Sequence, residues 1–533
     1  MEKTALAQIN CLVGGMAENA ARILEFSRLA ADSGNKIVIF PELAVTGYPP
    51  EDLLLKPSFV AENLQQLKRI ASSTGDIITI FGFVDTDGER LYNAAAVAVR
   101  GQLAGVYRKI HLPNYGVFDE KRYFAPGKDA AVFKIDGISL GVSICEDIWH
   151  KSGPVYAQAK SGAGMLVNIS ASPYHIGKIG ERSRTLCSCA ADCGVPIAYV
   201  NLVGGQDELV FDGRSMFVSA SGEVVSCAGA FKEELFSFKS AAVCPPAPSL
   251  TEEEEVYSAL TLGLKDYAVK NGFKKAVLGL SGGIDSALTA ALAADALGSE
   301  NVTGVFLPTR YTSKQSHDDA CELSRRLGID FRKISIEPLF RLYLLSLDEQ
   351  FSGLPRDCTE ENLQARIRGA LLMALSNKFG WLVLATGNKS EMSVGYSTIY
   401  GDLAGGFAVL KDVPKTLVYR LAEYRNSIAA VIPESIIVRE PTAELSPGQK
   451  DSDSLPPYSV LDPILKLYVE EDASAQEIIA AGFRGNDVRR VISLVDSSEY
   501  KRRQSPPGIK ITPRAFGKDR RMPITNAYDG EKP

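Results

Sequence analysis

At 533 residues the chain is too long for a single hydrophobic core, and two to four domains are expected. Hydrophobic residues at 45% and charged residues at 23% give the balance of a globular protein, and a net charge of −6 argues against a broad nucleic-acid or membrane surface. No apolar run approaches a membrane span, no signal-peptide pattern opens the chain, and nine cysteines is an odd count, so a cytoplasmic protein with reduced thiols is expected.

In the first half, strand-like runs alternate with helical ones: IVIF, IITIFGFV, MLVNIS and PIAYVNL. Three reactive residues stand at the C-terminal ends of such runs, where α/β folds present their chemistry. They are Glu42 in KIVIFPEL, Lys109 in GVYRKIHLP and Cys145 in GISLGVSICED. A cysteine nucleophile needs help, because its thiol is only slightly ionised near neutrality. Glu42 could take the proton; Lys109 could favour the thiolate and stabilise an oxyanion. Singly, each residue reads as a solvated side chain or a buried, inert thiol; only the set of three carries the chemical reading. Of the four histidines none adjoins Cys145 in sequence, and His111, the nearest competitor, reads as a structural neighbour of Lys109. Cys187, Cys189 and Cys193 share a predicted helix without a matching metal-ligand group and read as structural.

Residues 241–256, AAVCPPAPSLTEEEEV, interrupt regular structure with three prolines and then an acidic helix start. The expected division is therefore 1–245 and 246–533. Beyond it come the strand-like runs AVLGL, NVTGVFLP, FRKISI and WLVLATG. The first leads into Gly279, Leu280, Ser281, Gly282, Gly283, Ile284, Asp285 and Ser286, followed by a helix rich in alanine and leucine. Adjacent glycines let successive amides point into one cavity at a helix N-terminus. Hydroxyls of Ser281 and Ser286 can donate to phosphate oxygens, and Asp285 can hold Mg²⁺ beside them. No GxxxxGK[ST] occurs here, so this is not a Walker A loop. Gly204-Gly205-Gln206-Asp207 lacks the flanking serines and reads as a turn. The irregular stretch 441–458 reads as an active-site loop or lid.

The Glu42, Lys109 and Cys145 set resembles the triad of the nitrilase (carbon–nitrogen hydrolase) superfamily. SGGIDS resembles the pyrophosphate loop of enzymes that activate a substrate as an adenylate. Both halves in this order resemble the glutamine-dependent NAD⁺ synthetase family, over nearly the whole chain. The resemblance implies an N-terminal αββα sandwich and a C-terminal doubly wound, Rossmann-like parallel sheet. It implies that glutamine is hydrolysed through a thioester on Cys145, and that ATP adenylates deamido-NAD⁺ before ammonia displaces AMP. It also implies Mg²⁺ as cofactor and a homo-oligomer, with no nucleic-acid or membrane partner. Two alternatives stay open: an ATP-pyrophosphatase amidotransferase acting on another acid, and a non-catalytic nucleotide-binding protein.

Further roles follow from the resemblance alone. Glu120 would brace the triad, and Tyr115, Ser172 and Lys178 would hold glutamine, Lys178 standing where some relatives carry arginine. Residues 279–286, Thr386, Lys415 and Thr442 would bind ATP. Asn362, Glu391 and Lys510 would contact deamido-NAD⁺, with Arg366 near the nucleotide, and Asp285 and Glu391 would share the metal. Ile399 stands where ammonia-only relatives often carry lysine. Arg514, Lys518, Arg520 and Arg521 would belong to an ordered segment closing an anionic pocket.

Overall fold

Side chains alternate along each strand, and that alternation sorts the N-terminal residues into layers. The computed structural model describes residues 3–238, 250–449 and 455–527. The chain divides into two units, Met1–Leu250 and Thr251–Pro533; the boundary expected between 245 and 246 lies outside the described residues.

The first unit holds β1 (Thr4–Gln8), α1 (Met16–Asp32), β2 (Ile37–Ile39), α2 (Pro57–Ser73), β3 (Ile78–Thr86), β4 (Leu91–Val99) and β5 (Gln102–Arg108). There follow β6 (Val132–Ile135), β7 (Ile138–Ile144), α3 (Pro154–Lys160), β8 (Met165–Ser170), α4 (Lys178–Cys193) and β9 (Ile197–Asn201). The unit ends with β10 (Val203–Gln206), β11 (Leu209–Asp212), β12 (Met216–Val218), β13 (Val224–Cys227) and β14 (Glu234–Ser237). One sheet runs β14-β1-β2-β3-β4-β5 and the other β13-β12-β9-β8-β7-β6. In each, three parallel central strands are flanked by antiparallel ones.

Leu6 of β1 packs between the sheets with Ile144, Val167 and Val200, while Ala5 and Ala7 face Ile23 and Ile70 of α1 and α2. In β8, Val167 and Ile169 point inward and Leu166 outward, against Leu186 and Ala190 of α4. Two sheets with helices on both outer faces make the expected αββα sandwich. Gly204 and Gly205 lie in the β10–β11 hairpin. Cys189 belongs to the α4-side core.

The second unit starts with α5 (Glu252–Lys270), whose Thr251 cap accepts the Glu254 amide at 3.2 Å. Then come β15 (Ala276–Gly279), α6 (Ile284–Leu297), β16 (Val302–Phe306), α7 (Lys314–Leu327), β17 (Asp330–Lys333), α8 (Glu337–Leu347) and α9 (Cys358–Phe379). Next are β18 (Leu382–Ala385), α10 (Lys389–Val394), β19 (Phe407–Ala408), α11 (Lys415–Ile428), α12 (Glu434–Val438), α13 (Tyr458–Leu465), α14 (Ala475–Ala480) and α15 (Gly485–Ser497). The sheet is parallel throughout, in the order β17-β16-β15-β18-β19. The chain moves outward from β15 to β17, then reverses to β18 on the other side. That reversal opens a crevice at the C-terminal ends of β15 and β18.

Val277, Val305 and Val383 pack against Ile336, Phe340, Ile367 and Leu372 on the α8–α9 side. α6 is almost wholly buried, as its alanine- and leucine-rich sequence requires. Helices α13 to α15 form a separate core with Phe516. The doubly wound sheet expected of this half is present. Among the described residues no helix is long and apolar enough to cross a membrane.

Candidate functional site

In the first unit, Lys109 lies just past β5, and its buried ammonium donates to Glu42 Oε1 at 2.7 Å and to Glu120 Oε1 at 2.9 Å. Glu42 also accepts Asn93 Nδ2 at 2.7 Å and the Ala171 amide at 2.8 Å, and Tyr48 donates to Glu120 at 3.2 Å. Cys145 follows β7 with φ +42°, a left-handed backbone that an L residue adopts only under constraint. Asp147 supplies that constraint. Its buried carboxylate accepts the Ile144 amide at 3.0 Å, the His111 amide at 2.8 Å and the Tyr107 hydroxyl at 2.8 Å. The cysteine turn and the lysine strand end are thereby held in register.

Burial pulls the Lys109 ammonium down, but Glu120 and Glu42 more than compensate and hold it well above the ordinary lysine value. Burial pushes the Glu120 carboxyl up to about 7 against the opposing pull of Lys109. Burial, reinforced by Glu42, raises the Cys145 thiol, with Lys109 acting in the other direction. The resting thiol is therefore protonated and needs a base.

Around this core, the exposed Tyr115 donates to Glu146 Oε2 at 2.8 Å, next to Cys145. His150 stands 3.3 Å from Glu146, and His111 stacks on His150 at 4.1 Å. Ser172 is buried one residue beyond the amide that holds Glu42. Lys178, at the start of α4, lies 4.5 Å over the Trp149 ring and 3.1 Å from Glu181.

In the second unit, Gly282 has φ +82°, and a Cβ there would come within 2.5 Å of the Ser316 carbonyl oxygen, so only glycine fits. The loop braces itself: the Gly283 amide donates to Ser281 Oγ at 3.1 Å, and Ser286 Oγ donates to the Gly283 carbonyl at 3.0 Å. Ser281 is exposed and Ser286 buried, and their hydroxyls meet at 3.1 Å. The first-turn amides of α6 open here, at the crevice.

Asp285 Oδ1 accepts Asn388 Nδ2 at 2.9 Å, joining the ends of β15 and β18. Lys415 Nζ lies 2.5 Å from Asp285 Oδ2 and 3.3 Å from Glu391 Oε1. Burial pulls this ammonium down, while Asp285 and Glu391 outweigh burial and hold it above the ordinary value. Asp285 and Glu391 supply two hard carboxylate donors of the kind Mg²⁺ takes, and to hold it they would have to yield contacts now made to Lys415. Among the described residues no group of three or more His, Cys, Asp or Glu could hold a metal. Phosphate and water oxygens would have to complete the coordination, which is how Mg²⁺ ordinarily binds nucleotides.

Thr386 is half-buried just beyond β18. Asn362 accepts Thr398 Oγ1 at 2.7 Å, and Arg366 Nε donates to the Ile399 carbonyl at 3.3 Å, so α9 holds the 396–402 loop. Thr442 Oγ1 donates to the Gln449 carbonyl at 2.5 Å. Glu444 accepts Ser316 Oγ at 2.9 Å and pairs with Arg439 at 2.6 Å. Residues 441–449 are thus tied to the start of α7 beside Gly282; of the expected lid, 450–454 lie outside the described residues, and 455–458 lead into α13, with Leu455 in the core of that helix group.

Lys510 is not brought to the Asp285–Glu391–Lys415 cluster. Its ammonium donates to Thr512 O at 2.7 Å, Pro513 O at 2.8 Å and Asp519 at 2.7 Å. Arg514 pairs with Asp472, and Arg520 is buried against the Tyr468 and Phe516 rings.

A family model described as NAD synthase matches residues 256–505, and one described as Carbon-nitrogen hydrolase matches residues 3–239. The glutamine-dependent NAD(+) synthetase of Thermotoga maritima is 49% identical over 569 residues, covering 99% of each chain. That of Acinetobacter baylyi is 49% identical over 538 residues, covering 99% of this chain and 98% of its own. The chain belongs to the glutamine-dependent NAD⁺ synthetases. A solved member from Acinetobacter baumannii, in complex with adenosine diphosphate, superposes with a TM-score of 0.80 at 46% identity, covering all of both chains.

Several residues around these family sites escaped the sequence reading. Asn93 had a signal, as the one strongly polar side chain inside LYNAAAVAV. Asp147 and Glu146 had a weaker one, in adjoining Cys145. The hub around Lys389 had none: its buried ammonium contacts Asp412 at 3.0 Å, Glu470 at 2.7 Å and Thr512 Oγ1 at 2.7 Å, joining three distant segments. Arg368 was missed as well. Its Nε donates to the Leu307 carbonyl at 3.0 Å, and burial pulls the guanidinium to about 10 against the attraction of Glu444.

Proposed function

We propose that the protein makes NAD⁺ from deamido-NAD⁺ and ATP, releasing AMP and pyrophosphate, with ammonia drawn from glutamine. What carries this reading is that one chain of this family holds a buried Glu–Lys–Cys set and, in its other unit, an SGGIDS loop opening at two carboxylates.

In the glutaminase, assigned to residues 1–245, Glu42 takes the Cys145 proton and the thiolate attacks the glutamine amide carbon. Lys109 stabilises the oxyanion, and Glu42 returns the proton to departing ammonia. Water, deprotonated by Glu42, then cleaves the thioester to give glutamate and the free thiol. Glu120 braces Lys109, while Tyr115, Ser172 and Lys178 hold the amino-acid end of glutamine.

In the synthetase, assigned to 246–533, residues 279–286 with Thr386, Lys415 and Thr442 bind ATP. Asn362, Glu391 and Lys510 contact deamido-NAD⁺; Lys510 would exchange one of its internal bonds to do so. The deamido-NAD⁺ carboxylate attacks the α-phosphate and pyrophosphate leaves. Ammonia then attacks the adenylate carbonyl and expels AMP. Asp285 and Glu391 would hold Mg²⁺, which supplies charge neutralisation on the phosphates.

We also assign the protein to the cytoplasm as a homo-oligomer. α8 exposes Leu339, Leu342, Tyr343 and Leu345, an apolar face suited to a second copy, and sedimentation of a single chain would overturn that assignment. The reaction is tested by incubating the protein with ATP, glutamine and deamido-NAD⁺ and following products by mass spectrometry. NAD⁺ with AMP is expected; a different amidated product, or no turnover, contradicts the reading.

A further inference from the structure

Behind the proposed glutamine site lies a buried ion pair that the reaction as described does not use. Arg182 of α4 is 1% exposed and Asp212, at the end of β11, 2%. They meet fork to fork, Nη2 to Oδ1 at 3.0 Å and Nη1 to Oδ2 at 3.1 Å. Burying both charges is costly, and an apolar pair of equal volume serves stability at least as well. The neighbours of the pair are more telling. Arg182 Nη2 reaches the Ser172 carbonyl and Oγ, both at 3.4 Å. Asn201 donates to Asp212 Oδ1 at 3.3 Å and to the Ser172 carbonyl at 3.2 Å, and accepts the Ser172 amide at 2.8 Å. These bonds converge on the strand end after β8, where the preceding residue, Ala171, donates its amide to Glu42 Oε2 at 2.8 Å.

We propose that Arg182 is a positioning residue for glutamine hydrolysis: with Asp212 and Asn201 it clamps the Ala171–Ser172 strand end, so that the Ala171 amide orients Glu42 toward Cys145 and Ser172 stays at the substrate. This rests on the glutaminase reading above. Arg182 sits one helical turn after Lys178, so α4 carries both the cation assigned to glutamine and the fork that sets the strand end. The fork is already occupied by Asp212, which keeps Arg182 itself from serving as a substrate clamp.

The test is Arg182→Lys in the full chain, shown folded by its melting curve. Lysine keeps a cation against Asp212 but loses the fork on Asp212 and the Nη2 contacts to Ser172. Glutamine kcat/KM is expected to fall by about 10- to 100-fold, with kcat lowered as well as KM raised. Alkylation of Cys145 by iodoacetamide, followed on its own peptide, is expected to slow roughly tenfold because the base is misaligned. A merely structural role predicts the opposite, since a loosened core exposes the thiol and speeds alkylation. Wild-type kcat/KM, or faster alkylation, overturns the proposal. If Arg182→Lys does not fold, Asp212→Asn carries the same expectations. Cys145→Ala assayed in parallel separates the two failures: persistent glutaminase there removes the underlying reading, whereas a dead Cys145→Ala beside a wild-type-like Arg182→Lys removes only this inference.

Discussion

Burial makes Glu120 bind a proton more tightly in the folded chain than in the unfolded one, against the pull of Lys109. Its carboxyl is raised from 4.5 to about 7, so across that window the native state binds more protons and stability falls as pH rises. The melting midpoint of the N-terminal unit should therefore carry a declining contribution between about pH 4.5 and 7. Glu120→Gln, which cannot titrate, should flatten that decline; an equally steep or steeper slope in the variant contradicts it. Asp285 faces Lys415 at the proposed nucleotide site. Asp285→Asn keeps the shape but leaves Lys415 with Glu391 alone and would remove one of the two carboxylates proposed for Mg²⁺. Synthesis with either nitrogen donor should fall by about two orders of magnitude, while glutamine hydrolysis survives. Near-normal ammonia-supported synthesis would show that Asp285 is not a required ligand.

The 279–286 loop works as an element because its two glycines do different jobs. Gly282 needs its positive φ and leaves no room beside Ser316, whereas Gly283, at φ −96°, faces only Ser281 Oγ at 3.2 Å. Gly282→Ala should cost on the order of 1–3 kcal/mol in backbone strain and displace the loop. Calorimetric titration with a non-hydrolysable ATP analogue should show greatly weakened binding for Gly282→Ala and a milder loss for Gly283→Ala. Equal affinities would mean that the Ser316 contact does not set the loop. The same loop shows how far sequence reading reaches. Its strand–loop–helix geometry was legible because strand, glycines, hydroxyls and helix start lie within a dozen residues. The Glu42, Lys109 and Cys145 set was legible for a related reason, since strand ends are where a parallel sheet presents reactive groups.

Across the whole molecule, the residues proposed for the two reactions lie in two different units of one chain. Cys145→Ala should abolish glutamine-supported NAD⁺ synthesis and leave ammonia-supported synthesis largely intact. Glutamine hydrolysis by a clean preparation of that variant would exclude Cys145 as the nucleophile. The sequence by itself determined the α/β class and the order of the two halves, and it pointed to Glu42, Lys109 and Cys145 at strand ends and to the glycine loop at 281–286, because each is written in local periodicity or within a short motif. Only the tertiary structure decided which groups tune them. Asp147 registers Cys145 against Lys109, Arg182 reaches Asp212 across thirty residues, and Lys389 gathers Asp412, Glu470 and Thr512. It also decided that Lys510 is engaged by its own segment. Buried charges must find partners wherever the fold brings them, and those partners lie far apart in the chain, where no spacing rule points to them.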